Sequence, residues 1–133
     1  MIHTTQPGAF QTDVATLYRD GSDILHATYH VPKLDVDEHH VWKILDLIER
    51  EFAAGGKQLI LADIRNQRSS SRGAYRASVS EKAISLVQAE AVLVGWPISE
   101  VIGNLWLRAY KPPFPSRLFT DEAKALEWLM RFR

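Results

Sequence analysis

Residues 14–19 read as an extended segment, and over 24–31 apolar and polar positions alternate with period two, Leu25, Ala27, Tyr29 and Val31 sharing one face and His26, Thr28 and His30 the other. The pattern predicts two strands. Between them Asp20-Gly21-Ser22-Asp23 carries an Asp-Gly pair tolerant of positive φ, so the strands are expected to form a hairpin with the odd-numbered face of the second one toward the core. The period then changes. Val41, Leu45, Ile48 and Phe52 recur at helical spacing as a stripe to be buried, Asp35 stands three residues before Glu38 as in a capping box, and Gly55-Gly56 ends the segment. Residues 59–62 are continuously apolar and lead through Asp63 to Ile64. Such a run fits a strand covered on both faces of a parallel sheet.

A second helix is expected to start at Ser71 or Arg72, with Tyr75, Val79, Ala83 and Leu86 along one face. Residues 91–94 repeat the short apolar run, and Pro97 suits the first turn of a third helix carrying Ile98, Val101, Ile102 and Leu105. That helix must stop before Pro112-Pro113. Gly103 within it costs about 1 kcal/mol relative to alanine, which predicts a neighbour packed closely on its bare backbone. Residues 117–119 read as a brief strand. Thr120 is the expected cap of a last helix, with Asp121 and Glu122 in its first turn and Leu126, Leu129 and Met130 turned inward. The order is ββαβαβαβα, an α/β fold with a mixed, mostly parallel sheet and helices packed on it.

The 133 residues fit a single domain spanning 1–133, long enough to bury about two-thirds of the surface of the unfolded chain. With no cysteine there is no disulfide framework, zinc-thiolate site or thiol catalysis, which agrees with a reducing cytoplasm. No apolar run approaches a membrane span and the first ten residues lack a signal-peptide pattern, so a soluble cytoplasmic protein is expected. The formal charge is zero, yet residues 1–64 hold 5 Lys/Arg against 10 Asp/Glu and residues 65–133 hold 11 against 6. Opposed half-charges, with aromatic residues to spare, allow two copies to pair, and a homodimer is expected on that ground. Neutral overall charge and the lack of a recognised motif argue against nucleic acid as a partner.

The chemistry-bearing residues do not form a catalytic signature. Nucleophile-elbow, phosphate-loop and dinucleotide-loop patterns are all missing, so no catalytic residue and no cofactor is assigned. No metal site is assigned either. His26 and His30 stand about 13 Å apart along a strand, and adjacent His39 and His40 diverge by about 100° around their helix. What stands out is the loop after the central apolar run, where Ser69, Ser70 and Ser71 lie among Arg65, Arg68, Arg72 and Arg76. Loops at the carboxyl ends of parallel strands are where open α/β sheets place ligands and contacts. Asp63, Arg65, the serines and Gly95-Trp96-Pro97 are therefore expected on one edge of the sheet. Trp96, Trp106, Tyr110 and Phe114 are dense around a proline-rich turn, as in a pocket or an interface.

The segments LILADIR, AEAVLVGWPISEVIGNLWL and KPPFPSRLFTDEAKALEWL, covering most of residues 57–131, resemble the SpoIIAA-like superfamily. This is the fold of STAS domains and anti-sigma-factor antagonists, and the likeness is greatest to small bacterial members of unassigned function. The resemblance implies a non-catalytic domain that acts by contacting an unidentified protein or a small ligand. STAS antagonists carry a phosphorylatable serine in an Asp-Ser-Ser-Gly type motif at the start of the helix after the central strand. The matching segment here is Ser70-Ser71-Arg72-Gly73, with an extra arginine before the glycine and Ser69 where the acid would stand. Ser70 and Ser71 are the implied phosphoswitch. Asp63, Arg65, Arg68, Arg72, Trp96, Lys111 and Phe114 are the candidate partner or ligand surface. The alternative is a small-ligand-binding protein or minor enzyme, with a pocket formed by Asp63, Arg65, Trp96 and the turn at residues 111–114.

Overall fold

The computed structural model describes residues 8–95 and 100–133. Among these, six strands form one sheet: β1 (Phe10–Gln11), β2 (Ala15–Arg19), β3 (Ile24–Tyr29), β5 (Gln58–Asp63), β7 (Val87–Leu93) and β8 (Ser116–Phe119), in that spatial order. The first three are antiparallel, and β3, β5, β7 and β8 are parallel. A separate two-stranded ladder pairs β4 (Leu34–Val36) with β6 (Gln67–Ser70). The helices are α1 (Glu38–Glu51), α2 (Arg72–Ser78), α3 (Glu81–Leu86), α4 (Glu100–Tyr110) and α5 (Glu122–Leu129).

Topology divides the helices between two faces. Three successive crossovers step the same way from β3 to β5, β7 and β8, and right-handed crossovers then place α1, α2 with α3, and α4 on one face. On that side Leu17, Leu25 and Ile60 pack with Val41, Leu45 and Ile48 of α1, Ala74 of α2 and Leu86 of α3. The opposite face is closed by α5, whose Ala125 and Leu129 pack with Ile24, Leu59, Leu61, Ala89, Ala91 and Leu93. Two-sided cover explains the apolar runs. Leu59, Ile60, Leu61, Ala91 and Leu93 are all buried on central strands, as is Val94 just past β7, whereas Ala62 and Val92 are only half-buried.

Several local expectations are corrected. Asp35 does not cap α1, because it pairs within β4. The cap is Asp37, which accepts from the His40 N–H at 3.1 Å while His40 Nδ1 accepts from the Asp37 N–H at 3.1 Å. A histidine completes this capping box where Glu or Gln is the usual partner. The expected single helix from Ser71 to Leu86 is two: the Ser78 and Ser80 hydroxyls bond back to Tyr75 and Ala77 carbonyls, and Ser80 caps a fresh start at α3. Asp121, and not Thr120, caps α5 by accepting from the Ala123 and Lys124 N–H groups. Met130 is exposed, and Ala125 takes the inward position beside Leu129. His26, assigned to the outer face of the hairpin, is buried. Its ring stacks on Tyr18 and its Nε2 lies 2.7 Å from Asp20 Oδ2.

Gly103 is buried in α4, and the next residue ties the helix to the sheet. Asn104 accepts the Leu118 N–H at 2.8 Å and donates to the Leu118 carbonyl at 3.1 Å, so one side chain satisfies both backbone groups on the free edge of β8.

Candidate functional site

The carboxyl end of β5 is built around Asp63. Its carboxylate, almost wholly buried, accepts from Arg65 Nε at 2.9 Å, from Arg65 Nη2 at 2.6 Å and from the Arg65 backbone N–H at 3.1 Å. This bidentate pairing fixes the guanidinium and raises its pKa further, mainly through the hydrogen bonds to Asp63. The Ile64 N–H extends the ladder to the Leu93 carbonyl, and the aliphatic stem of Arg65 passes within 3.6 Å of where a side chain on Gly95 would begin. Asp63, Arg65 and Gly95 thus share one edge, as expected. Trp96 and Pro97 lie outside the described residues.

Beside this edge, the β4–β6 ladder sets a second acid-arginine pair. Asp35 accepts from Arg68 through both carboxylate oxygens, at 2.9 Å from Nε and also from Nη2, and from the Ser69 hydroxyl at 2.6 Å. Those hydrogen bonds, Arg68 first, hold the exposed Asp35 carboxyl down at about 2. The three serines therefore differ. Ser69 is tied to Asp35, and Ser71 caps α2 by accepting from the Ala74 N–H at 3.0 Å. Ser70 is exposed at the end of β6, and its hydroxyl has no hydrogen-bond partner among the described residues.

Between the two pairs lies an open, shallow depression lined by Pro32, Lys33, Arg65, Asn66, Gln67 and Arg68. Its walls are pinned: Asn66 Nδ2 donates to the Tyr29 carbonyl at 2.9 Å, and the Leu34 N–H donates to the Asn66 carbonyl at 2.9 Å. Lys33, at φ 54°, adds a cation with no ion-pair partner among the described residues. Lys33, Asn66 and Gln67 were not anticipated, because no pattern around them signals that the chain folds back on itself between β3 and β4.

Other candidates are not brought here. Arg72 is exposed in the first turn of α2. Lys111 closes α4 with φ 48°, its N–H donating to the Leu107 carbonyl at 3.0 Å. Phe114 is half-buried against the α1-side core where the chain enters β8, whose first residue pairs with Glu90 in mid-strand, while Asp63 pairs with Leu93. The turn at 111–114 thus lies on the amino-terminal side of the parallel strands, and a pocket combining it with Asp63 and Arg65 is not assembled. Among the described residues no group of His, Asp and Glu could hold a metal ion, and no helix is long and apolar enough to cross a membrane.

Comparison with known proteins agrees on the fold. A crystal structure of an uncharacterised DUF3478-family protein from Shewanella loihica PV-4, described as having a SpoIIAA-like fold, aligns with a TM-score of 0.61. The alignment covers 90% of this chain and 98% of that one at 17% identity. No curated protein matches the chain. A family model described as a domain of unknown function, DUF7793, matches residues 17–133. The fold is SpoIIAA-like, and the chain belongs to the DUF7793 family.

Proposed function

We propose that this is a non-catalytic interaction domain that docks an acidic segment of a partner protein at the edge carrying Lys33, Arg65 and Arg68, with Ser70 as the site of phosphate control. The observation that carries the reading is the depression between two fixed acid-arginine pairs. It is open and lined mostly by polar and charged residues, and its one unpaired cation among the described residues is Lys33. Arg65 and Arg68 are held in place by Asp63 and Asp35, so a carboxylate-bearing segment would meet guanidinium groups already ordered. Ser70 lies two residues from Arg68 along β6, past the register shift at Arg68. A phosphate there would compete with Asp35 for Arg68 and reverse the local charge.

The test is affinity capture from the native host with the full chain, read by quantitative mass spectrometry. Lys33→Glu with Arg68→Gln is compared with Lys124→Glu on α5. Support requires a protein bound by the wild type and the α5 control, lost from the edge variant, and released by salt. Identical capture by all three forms refutes the surface assignment. Phosphosite mapping of the native protein tests Ser70 separately, and absence of phosphate at this residue removes it from the reading.

A further inference from the structure

On the helix-covered face, Ala27, Ala62 and Val92 form one row across β3, β5 and β7, and Glu90 lies one row back, opposite Ile60. The reverse side of the same strands is sealed, with Leu61, Ala91 and Leu93 at most 1% exposed. Ala27, Ala62, Glu90 and Val92 are each only half-buried, although they occupy the centre of a sheet under helices. Solvent reaches each of these four residues, so the row floors a hollow in the helix cover. Two aromatic residues, Tyr29 and Phe114, pack against the same core as Ala27 and Ala62. Tyr29 follows Ala27 on the same face of β3, and Phe114 adjoins Pro115, whose carbonyl accepts the Glu90 N–H at 2.9 Å.

Glu90 is the polar group of this hollow that the fold does not use. No described residue hydrogen-bonds or ion-pairs with its carboxyl, and burial pushes its pKa up to about 7. The phenol of Tyr29 is raised above the usual tyrosine range, by burial first and by the charge on Glu90 second, so the two side chains sense each other. An acid that is desolvated yet reachable by solvent lacks a counter-charge, and aromatic faces attract cations. An anion would be repelled, with no described cation to receive it.

We propose that this hollow binds a small organic ammonium ion, its charged head on the Glu90 carboxylate and its apolar body over Ala27, Ala62 and Val92. The site is separate from the Lys33-Arg68 edge and does not depend on that surface having a partner.

The experiment titrates the full chain with 2-phenylethylammonium chloride by calorimetry at pH 8, using 2-phenylethanol and phenylacetate as neutral and anionic probes with the same ring. Saturable binding is expected for the ammonium ion alone. It should weaken about tenfold or more in Glu90→Gln, the lower end of what a desolvated charge pair contributes. Affinity should also fall as the pH drops from 8 to 5, because Glu90 takes up a proton while the alkylammonium and the Tyr29 phenol keep theirs. Ala62→Leu fills the hollow and should abolish binding while the circular dichroism spectrum is retained. Equal binding of the three probes, undiminished binding by Glu90→Gln, or no binding by the wild type would overturn the proposal.

Discussion

Replacing Glu90 by glutamine should stabilise the protein at alkaline pH and change little at acid pH. The carboxyl is displaced upward from 4.5 to about 7 by burial. A displacement of that size corresponds to about 3 kcal/mol at a pH where the group is fully ionised in both folded and unfolded states. Solvent still reaches the half-buried side chain, which lowers the expectation to about 1–2 kcal/mol. The direction follows from proton uptake. Between pH 4.5 and about 7 the folded protein holds a proton on Glu90 that the unfolded chain releases, so the stabilising contribution is complete below 4.5 and is lost as the pH rises through 7. Glutamine keeps the shape and carries no charge at any pH. Urea denaturation of both proteins at half-unit steps from pH 4.5 to 8 measures the difference directly. The gain should grow from near zero to its full value across that window, reaching about 3–7 °C in melting temperature at pH 8. A difference that does not vary with pH, or a variant less stable than the wild type at pH 8, would show that Glu90 is not held desolvated and unpaired.

Truncating Asn104 to alanine leaves both backbone groups of Leu118 without their side-chain partner and should cost about 2 kcal/mol by denaturant unfolding. Asp37→Ala should lower the hydrogen-exchange protection of the first turn of α1 through loss of its cap, whereas Asp35→Ala should leave that protection unchanged; equal loss in both variants would contradict the observed cap. Carbon-detected NMR titration should find the Asp35 carboxyl at about 2 in the wild type and moved back toward 3.8 in Arg68→Gln. Its contribution to stability is therefore present above 3.8 and lost as the pH falls toward 2. Leu93→Ala empties a wholly buried position between β7 and α5 and should cost about 3–5 kcal/mol.

Periodicity carried most of the fold, because period two and period 3.6 are local properties that burial enforces residue by residue. The apolar stretches at 59–62 and 91–94 announced buried parallel strands, and Val41, Leu45, Ile48 and Phe52 announced the inner stripe of α1; all four of those stripe residues are buried. Caps were less legible. Acids stand at 35 and 37, and at 121 beside Thr120, so neighbouring residues compete for the same role, and the outcome depends on where the preceding strand lets go of the chain. At Asp35 the β4–β6 pairing claims the residue first, and no pattern within residues 34–36 foretells a partner more than thirty residues away.

The sequence by itself determined that an acid, arginines and serines follow the central strand, and that the chain alternates strands and helices in a right-handed order. Only the tertiary structure decided which of these groups remain available. It locked Asp63 to Arg65 and Asp35 to Arg68, spent Ser69 and Ser71 on local hydrogen bonds, and left Ser70 exposed without a hydrogen-bond partner among the described residues. It also made Glu90 unusual. Along the chain this residue is one acid in an alternating strand, but the parallel register sets it one row from Ala62, beneath helices and without a described counter-charge. Electrostatic environment is a sum over neighbours brought together by long-range pairing, so it cannot be read from any window of sequence.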